Sequence, residues 1–137
     1  MEKQIIKILS ISKTIALVGA SANEKKPSFV VMSYLQSYGY KVLPINPFHS
    51  GKKILGEYVL SKLNDIEEKI DLVDVFRQSE EAPDIAKQSV DIGANALWLQ
   101  LGISNQKARN IAKSADINFI QNKCIKIEHQ RLFNKEF

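Results

Sequence analysis

Thr14-Ile15-Ala16-Leu17-Val18-Gly19-Ala20-Ser21 decides how the chain is read. The first five residues are almost wholly apolar, as in a strand covered on both faces of a parallel sheet. The run stops at a glycine followed by two small residues, which allows a tight turn and a close approach by another molecule. A loop follows, and Pro27 suits the first turn of a helix because its missing N–H would have had no partner there. Val30, Val31, Tyr34, Leu35 and Tyr38 mark that helix's buried face, and Gly39 ends it. Strand, glycine turn and helix make the first half of a βαβ unit.

The same alternation extends both ways. Upstream, residues 2–11 form a leading helix with Ile5, Ile6 and Leu9 on one face. Downstream, Lys41–Ile45 is the second strand, and its Pro44 marks a position that need not donate, near an edge or the strand end. Residues 48–69 are expected to give a short helix or a connecting strand around Leu60, Leu63 and Ile66. The third strand is Asp71–Phe76. Ser79 then caps a helix that has Glu80 and Glu81 in its first turn, Ala82, Ile85, Ala86, Ser89 and Val90 inside, and Gly93 at its end. Ala96–Gln100 is the fourth strand, with Trp98 in the core. Ser104 caps a helix with Ala108, Ile111, Ala112 and Ala115 on its inner face, and Ile117–Ile120 is the fifth strand. The tail, residues 122–137, is helical or irregular. Five strands with intervening helices predict one α/β domain over residues 1–137: a Rossmann-like doubly wound, mostly parallel sheet with helices on both faces.

Composition narrows the function. The chain has 137 residues, 45% hydrophobic and 25% charged, the balance of a globular domain rather than disorder. It carries no membrane-length apolar run and no signal peptide, so a cytoplasmic protein without membrane contact is expected. The single Cys124 excludes an internal disulfide framework, and thiolate zinc or iron–sulfur sites lack ligands. His49 and His129 lie far apart in sequence, and no metal site is expected. The net charge of +4 resides in the first 70 residues. Between Glu24 and Glu57 stand five lysines (Lys25, Lys26, Lys41, Lys52, Lys53) and no acid. With only three arginines in the chain and no aromatic stacking series, that cluster fits a small polyanion, or a solvated face, better than nucleic acid.

In a doubly wound sheet the ligand lies beyond the carboxyl ends of the strands. Those ends are Gly19-Ala20-Ser21, Asn46-Pro47, Phe76-Arg77-Gln78 and Gln100-Leu101-Gly102. The first is the phosphate candidate, since it feeds a helix N-terminus. The dinucleotide fingerprint fails: Ser21 and Glu24 stand where glycines belong, and Asn46 replaces the ribose-binding acid. Nor is there a nucleoside-triphosphate loop. Arg77 either serves the ligand or pairs with Glu80 or Glu81. Asp71 and Asp74 bracket an inner strand without forming an acid/base dyad. No nucleophile elbow or paired base is visible, so no catalytic residue is assigned. Cys124 is either a small packed hydrophobe or a thiol close to the ligand.

TIALVGAS (14–21), KKPS (25–28), GYKVLPINP (39–47), IDLVDVFRQSEEAP (70–83), ALWLQLGI (96–103) and NKCIKIEHQRL (122–132) together resemble the stand-alone bacterial CoA-binding domain family. Its fold is shared with the CoA-binding domain of the succinyl-CoA synthetase alpha subunit. The resemblance implies that coenzyme A is the ligand. Its diphosphate would lie near Gly19, Ala20, Ser21, Pro27 and Ser28, with Lys25 and Lys26 adding charge. Adenosine would lie by Asn46, Pro47 and the stretch from His49 to Lys52 and Lys53. The pantetheine arm would pass Phe76, Arg77, Gln100 and Gly102. The expected function is a non-catalytic CoA or acyl-CoA binding module, a carrier, sensor or subunit, acting alone, as a homodimer or with a partner protein. An acyl-CoA ligase or transferase component completed by a partner chain is the second reading. A nucleotide-binding protein of other ligand is the third.

Overall fold

The computed structural model of the chain describes residues 1–133. Five parallel strands form the main sheet: β1 (Thr14–Val18), β2 (Lys41–Ile45), β5 (Leu72–Val75), β6 (Ala96–Leu99) and β7 (Asn118–Ile120), in the order β2-β1-β5-β6-β7. A two-stranded hairpin, β3 (Lys53–Ile54) with β4 (Glu57–Tyr58), lies apart. The helices are α1 (Glu2–Ile11), α2 (Pro27–Ser37), α3 (Ala82–Asp91), α4 (Gln106–Ser114) and α5 (Ile125–Phe133). The α/β doubly wound reading is correct, and every pairing within the main sheet is parallel. β2 is an edge strand, so Pro44, opposite Leu17, leaves no ladder donor missing in the sheet interior.

Strand alternation sorts the core into two layers. Ile15, Leu17, Leu72 and Trp98 face α1, α2 and α5 with Ile5, Leu9, Val31, Leu35 and Ile125. Ala16, Val73, Val75, Leu97 and Leu99 face α3 and α4 with Ile85, Ala86, Ala108 and Ala112. Trp98 is fully buried, and its indole N–H donates to the Lys123 carbonyl at 2.8 Å, tying β6 to the start of α5.

Several local expectations change. α1 turns Ile5, Ile8 and Leu9 inward and leaves Ile6 outside. α2 buries Ser28, Val31, Met32 and Leu35, while Val30 and Tyr38 face out. An almost uniformly apolar helix offers no contrast from which to choose its inner face, and packing against the sheet makes the choice. Asn105, not Ser104, caps α4 by accepting from the Ala108 N–H. Ser79 starts a 3-10 turn ahead of α3 and accepts from the Ser104 N–H. The segment after β2 holds both a hairpin and a short 3-10 turn at Leu63–Asp65, with Leu60 bridging to Ile45. The tail is helical over Ile125–Phe133, and residues 134–137 lie outside the described residues. No helix among the described residues is long and apolar enough to cross a membrane.

Candidate ligand-binding site

The strand order places the switch point between β1 and β5, since α2 leaves β1 toward one face and α3 leaves β5 toward the other. Gly19 follows β1 and Phe76-Arg77 follows β5, so these residues meet in the crevice. Gly19 has φ +90°, and a Cβ there would come within 2.3 Å of the Phe76 carbonyl oxygen. Only glycine fits this contact.

Two hollows adjoin across Pro27 and Phe76. The first, about 260 Å³, is walled by Gly19, Ala20, Ser21, Lys26, Ser28, Asn46 and His49 as well. The second, about 400 Å³, is lined chiefly by apolar side chains: Val31, Leu101, Ile103 and Ile127, with Arg77, Gln100 and Cys124. A third recess, about 440 Å³, opens on the α3 side of the sheet edge by Gly19, Pro47, Phe48 and Arg77. A furrow of about 500 Å³ between α3 and α4 is lined by residues of these two helices and by Ala115 at the end of α4.

The first hollow is bordered by backbone amides and one lysine. The amides of Gly19 and Ala20 are spent on the Ile45 carbonyl, extending the β1–β2 ladder. The amides of Ser21 and Ser28 have no partner among the described residues, and neither has the Ser28 hydroxyl. Ser21 Oγ accepts from the Asn23 N–H, and Asn23 in turn accepts from the amides of Lys25 and Lys26. This turn chemistry shapes the loop, and Asn23 was not among the expected site residues. Lys26 and His49 border the hollow, and neither side chain has a partner among the described residues. Asn46 is fully committed: its Nδ2 donates to the Ala20 carbonyl at 2.9 Å and its Oδ1 accepts from the Phe48 amide. It therefore braces the crevice, and no carboxylate stands at the end of β2.

The second hollow has a different character. Gln100 is buried, its side-chain oxygen Oε1 accepts from the Ile125 N–H at 3.2 Å, and its side-chain N–H groups have no partner among the described residues. Arg77 forms a two-point ion pair with Glu81, at 3.1 Å for each contact, while still bordering the hollow. α5 forms one wall through Ile127. It is fastened to α2 where Tyr34 Oη and His129 Nδ1 lie 2.7 Å apart. Burial keeps the imidazole below its usual pKa, and burial followed by Tyr38 and Tyr40 pushes Tyr34 up to about 12, so the contact joins a neutral phenol to a neutral imidazole near pH 7.

Of the expected site residues, Gly19, Ala20, Ser21, Lys26, Pro27, Ser28, Asn46, Pro47, Phe76, Arg77 and Gln100 border one or other hollow at the sheet edge. Lys25, Lys52, Lys53 and Gly102 line none of these walls. Lys53 instead lies over the Tyr58 ring at 4.8 Å, and the Gly102 amide donates to Asn122. Val31, Ile103 and Ile127 were missed, because an apolar residue lining a ligand cavity reads in sequence like any core residue. No cluster of three or more metal-ligating side chains occurs among the described residues.

A family model described as a CoA binding domain matches residues 13–130. The chain belongs to that CoA-binding-domain family. It is 36% identical over 126 residues to the uncharacterized protein YneT of Bacillus subtilis, covering 92% of each. It is 28% identical over 130 residues to an ADP-forming acetate–CoA ligase of Methanocaldococcus jannaschii, a match over 89% of this chain but only 18% of that protein. Among solved structures, a Thermus thermophilus protein, cell-free ID.343, superposes with a TM-score of 0.92 at 34% identity, covering 97% of this chain and 99% of the other. The match to the CoA-binding-domain model runs across both hollows, from just before β1 into α5.

Proposed function

We propose that the chain binds coenzyme A or an acyl-CoA at the switch point of its sheet, without catalysis of its own. The observation that carries this reading is the pair of adjoining hollows: one with unpaired donors and Lys26 for a diphosphate, the other apolar for a pantetheine arm. An anionic head on a long, weakly polar arm is the shape of CoA. The module acts as a carrier or sensor of CoA in the cytoplasm, alone, as a homodimer or with a protein partner. A second reading, a ligase component completed by another chain, is favoured by the likeness to one section of the larger acetate–CoA ligase. Acetate, CoA and a nucleotide supplied to the chain alone test the non-catalytic reading, since turnover would overturn it, whereas turnover that appears only when the partner chain is added would favour the second.

Calorimetry should show CoA binding at least tenfold tighter than NAD, a difference of about 1.4 kcal/mol. Asn46 is braced into the fold and no acid awaits a ribose, so NAD gains little there. NAD binding as tightly as CoA defeats the proposal.

Cys124 borders the apolar hollow while also packing on the core. Cys124→Ser is expected to leave CoA affinity within threefold, about 0.7 kcal/mol, because one small side chain supplies little of the contact. A larger loss with an unchanged circular dichroism spectrum would make the thiol a principal ligand contact.

A further inference from the structure

Asp74 is the one residue among those described with buried side-chain oxygens and no hydrogen-bond partner for either of them. It is completely buried in the middle of β5, between Leu17 of β1 and Trp98 of β6. Alternation along β5 sends Val73 and Val75 to the α3/α4 layer, so Asp74 projects with Leu72 toward α2 and α5. The next residue on that face is Phe76, a wall of both hollows, and the next beyond Trp98 on β6 is Gln100. Asp74 therefore lies one side-chain level beneath the floor of the apolar hollow. An unsatisfied acid in a parallel sheet costs stability, and each such group calls for a reason. An apolar side chain would serve the fold better. What an apolar side chain lacks is a donor facing the space where a ligand's arm would lie.

We propose that Asp74 is a ligand-binding residue of the apolar hollow, donating a hydrogen bond to an amide carbonyl of a pantetheine-type chain. The inference rests on the CoA reading and deepens it. Burial holds the carboxyl well above the usual carboxylate range, so it keeps the proton that it would donate. A pantetheine arm carries two amides and needs such donors in an otherwise apolar channel, where Gln100 offers the other. Asp74 is fully buried and is not itself a wall of the hollow, so contact requires the side chains that line the hollow above it to move aside.

The test compares CoA with adenosine 3′,5′-bisphosphate, which has no pantetheine arm, on the wild-type chain, Asp74→Val and Asp74→Asn. Valine removes the donor, whereas asparagine keeps one in the same shape. Asp74→Val is expected to bind CoA about tenfold more weakly and the bisphosphate unchanged, while Asp74→Asn stays within threefold of wild type for both. Thermal unfolding of Asp74→Val at or above the wild-type temperature excludes a damaged fold. The inference is overturned if Asp74→Val keeps full CoA affinity, if it loses both ligands equally, or if Asp74→Asn loses as much as valine. Wild-type protein that binds neither CoA nor the bisphosphate would instead overturn the CoA reading itself.

Discussion

Gly19→Ala is expected to lower the melting temperature by roughly 10 °C and to remove ligand binding. The methyl group would sit 2.3 Å from the Phe76 carbonyl oxygen and 2.9 Å from its carbon, so two strand ends must separate. The backbone at φ +90° adds its own penalty for any L side chain. Left-handed strain costs about 1–2 kcal/mol and overpacking about 1–3 kcal/mol, giving a total near 3 kcal/mol. Gly102→Ala is the control: its φ is +86°, yet nothing lies within 4 Å of the added methyl, so it carries the strain without the clash. Chemical denaturation of both variants measures the difference. Gly19→Ala no less stable than Gly102→Ala would mean that the contact between β1 and β5 yields cheaply, and the crevice would not need glycine.

The second large effect has the opposite sign. Asp74→Val should raise stability by about 1–3 kcal/mol at pH 4, and by more at higher pH, because it removes a buried polar group that has no partner among the described residues. The pH dependence identifies the cause. Folded Asp74 keeps its proton well above pH 4, whereas in the unfolded chain it ionises near 3.9. Its contribution is therefore full below pH 4. It declines as pH rises, at about 1.4 kcal/mol per pH unit, until the folded-state carboxyl itself ionises. His129 acts the other way: its lowered pKa makes the folded state less stable as pH falls below about 6.5. Subtracting the Asp74→Asn curve from that of the wild type cancels His129 and leaves the acid. A difference that grows from pH 4 upward is expected, and a flat difference would mean that Asp74 is ionised and paired in solution. Gain of stability with loss of CoA in Asp74→Val would mark a residue kept for its ligand rather than for the fold.

Legibility differed from one part of the molecule to another. β1 and the glycine turn were readable because an apolar run ending in Gly-Ala-Ser has few alternatives. Pro27 located the start of α2 to the residue, since its ring fits only the first turn. The caps were harder. Ser79, Ser104 and Asn105 all have the chemistry to cap, and only the packing of α3 beside α4 selects Asn105 and turns Ser79 to the Ser104 amide. The lysine cluster was also misleading as a unit. Lys41 is taken by Glu68 at 2.9 Å, Lys53 lies on Tyr58, and Lys26 is the one of the five that borders the hollow beside Gly19.

The amino-acid sequence by itself determined the element alternation, the parallel sheet and the carboxyl edge on which a ligand would lie. These follow from local periodicity and from residues whose backbone preferences hold in any context. Only the tertiary structure decided which strand ends meet, and therefore that Gly19 must touch Phe76 while Lys52 stays outside. It alone revealed that Asp74 has no partner, because in the sequence Asp71 and Asp74 look alike. Asp71 accepts from the amides of Lys13 and Thr14 at the start of its strand, whereas three residues on Asp74 is sealed between Leu17 and Trp98. A hydrogen-bond partner or its absence is a property of neighbours distant in sequence, and only folding brings them together.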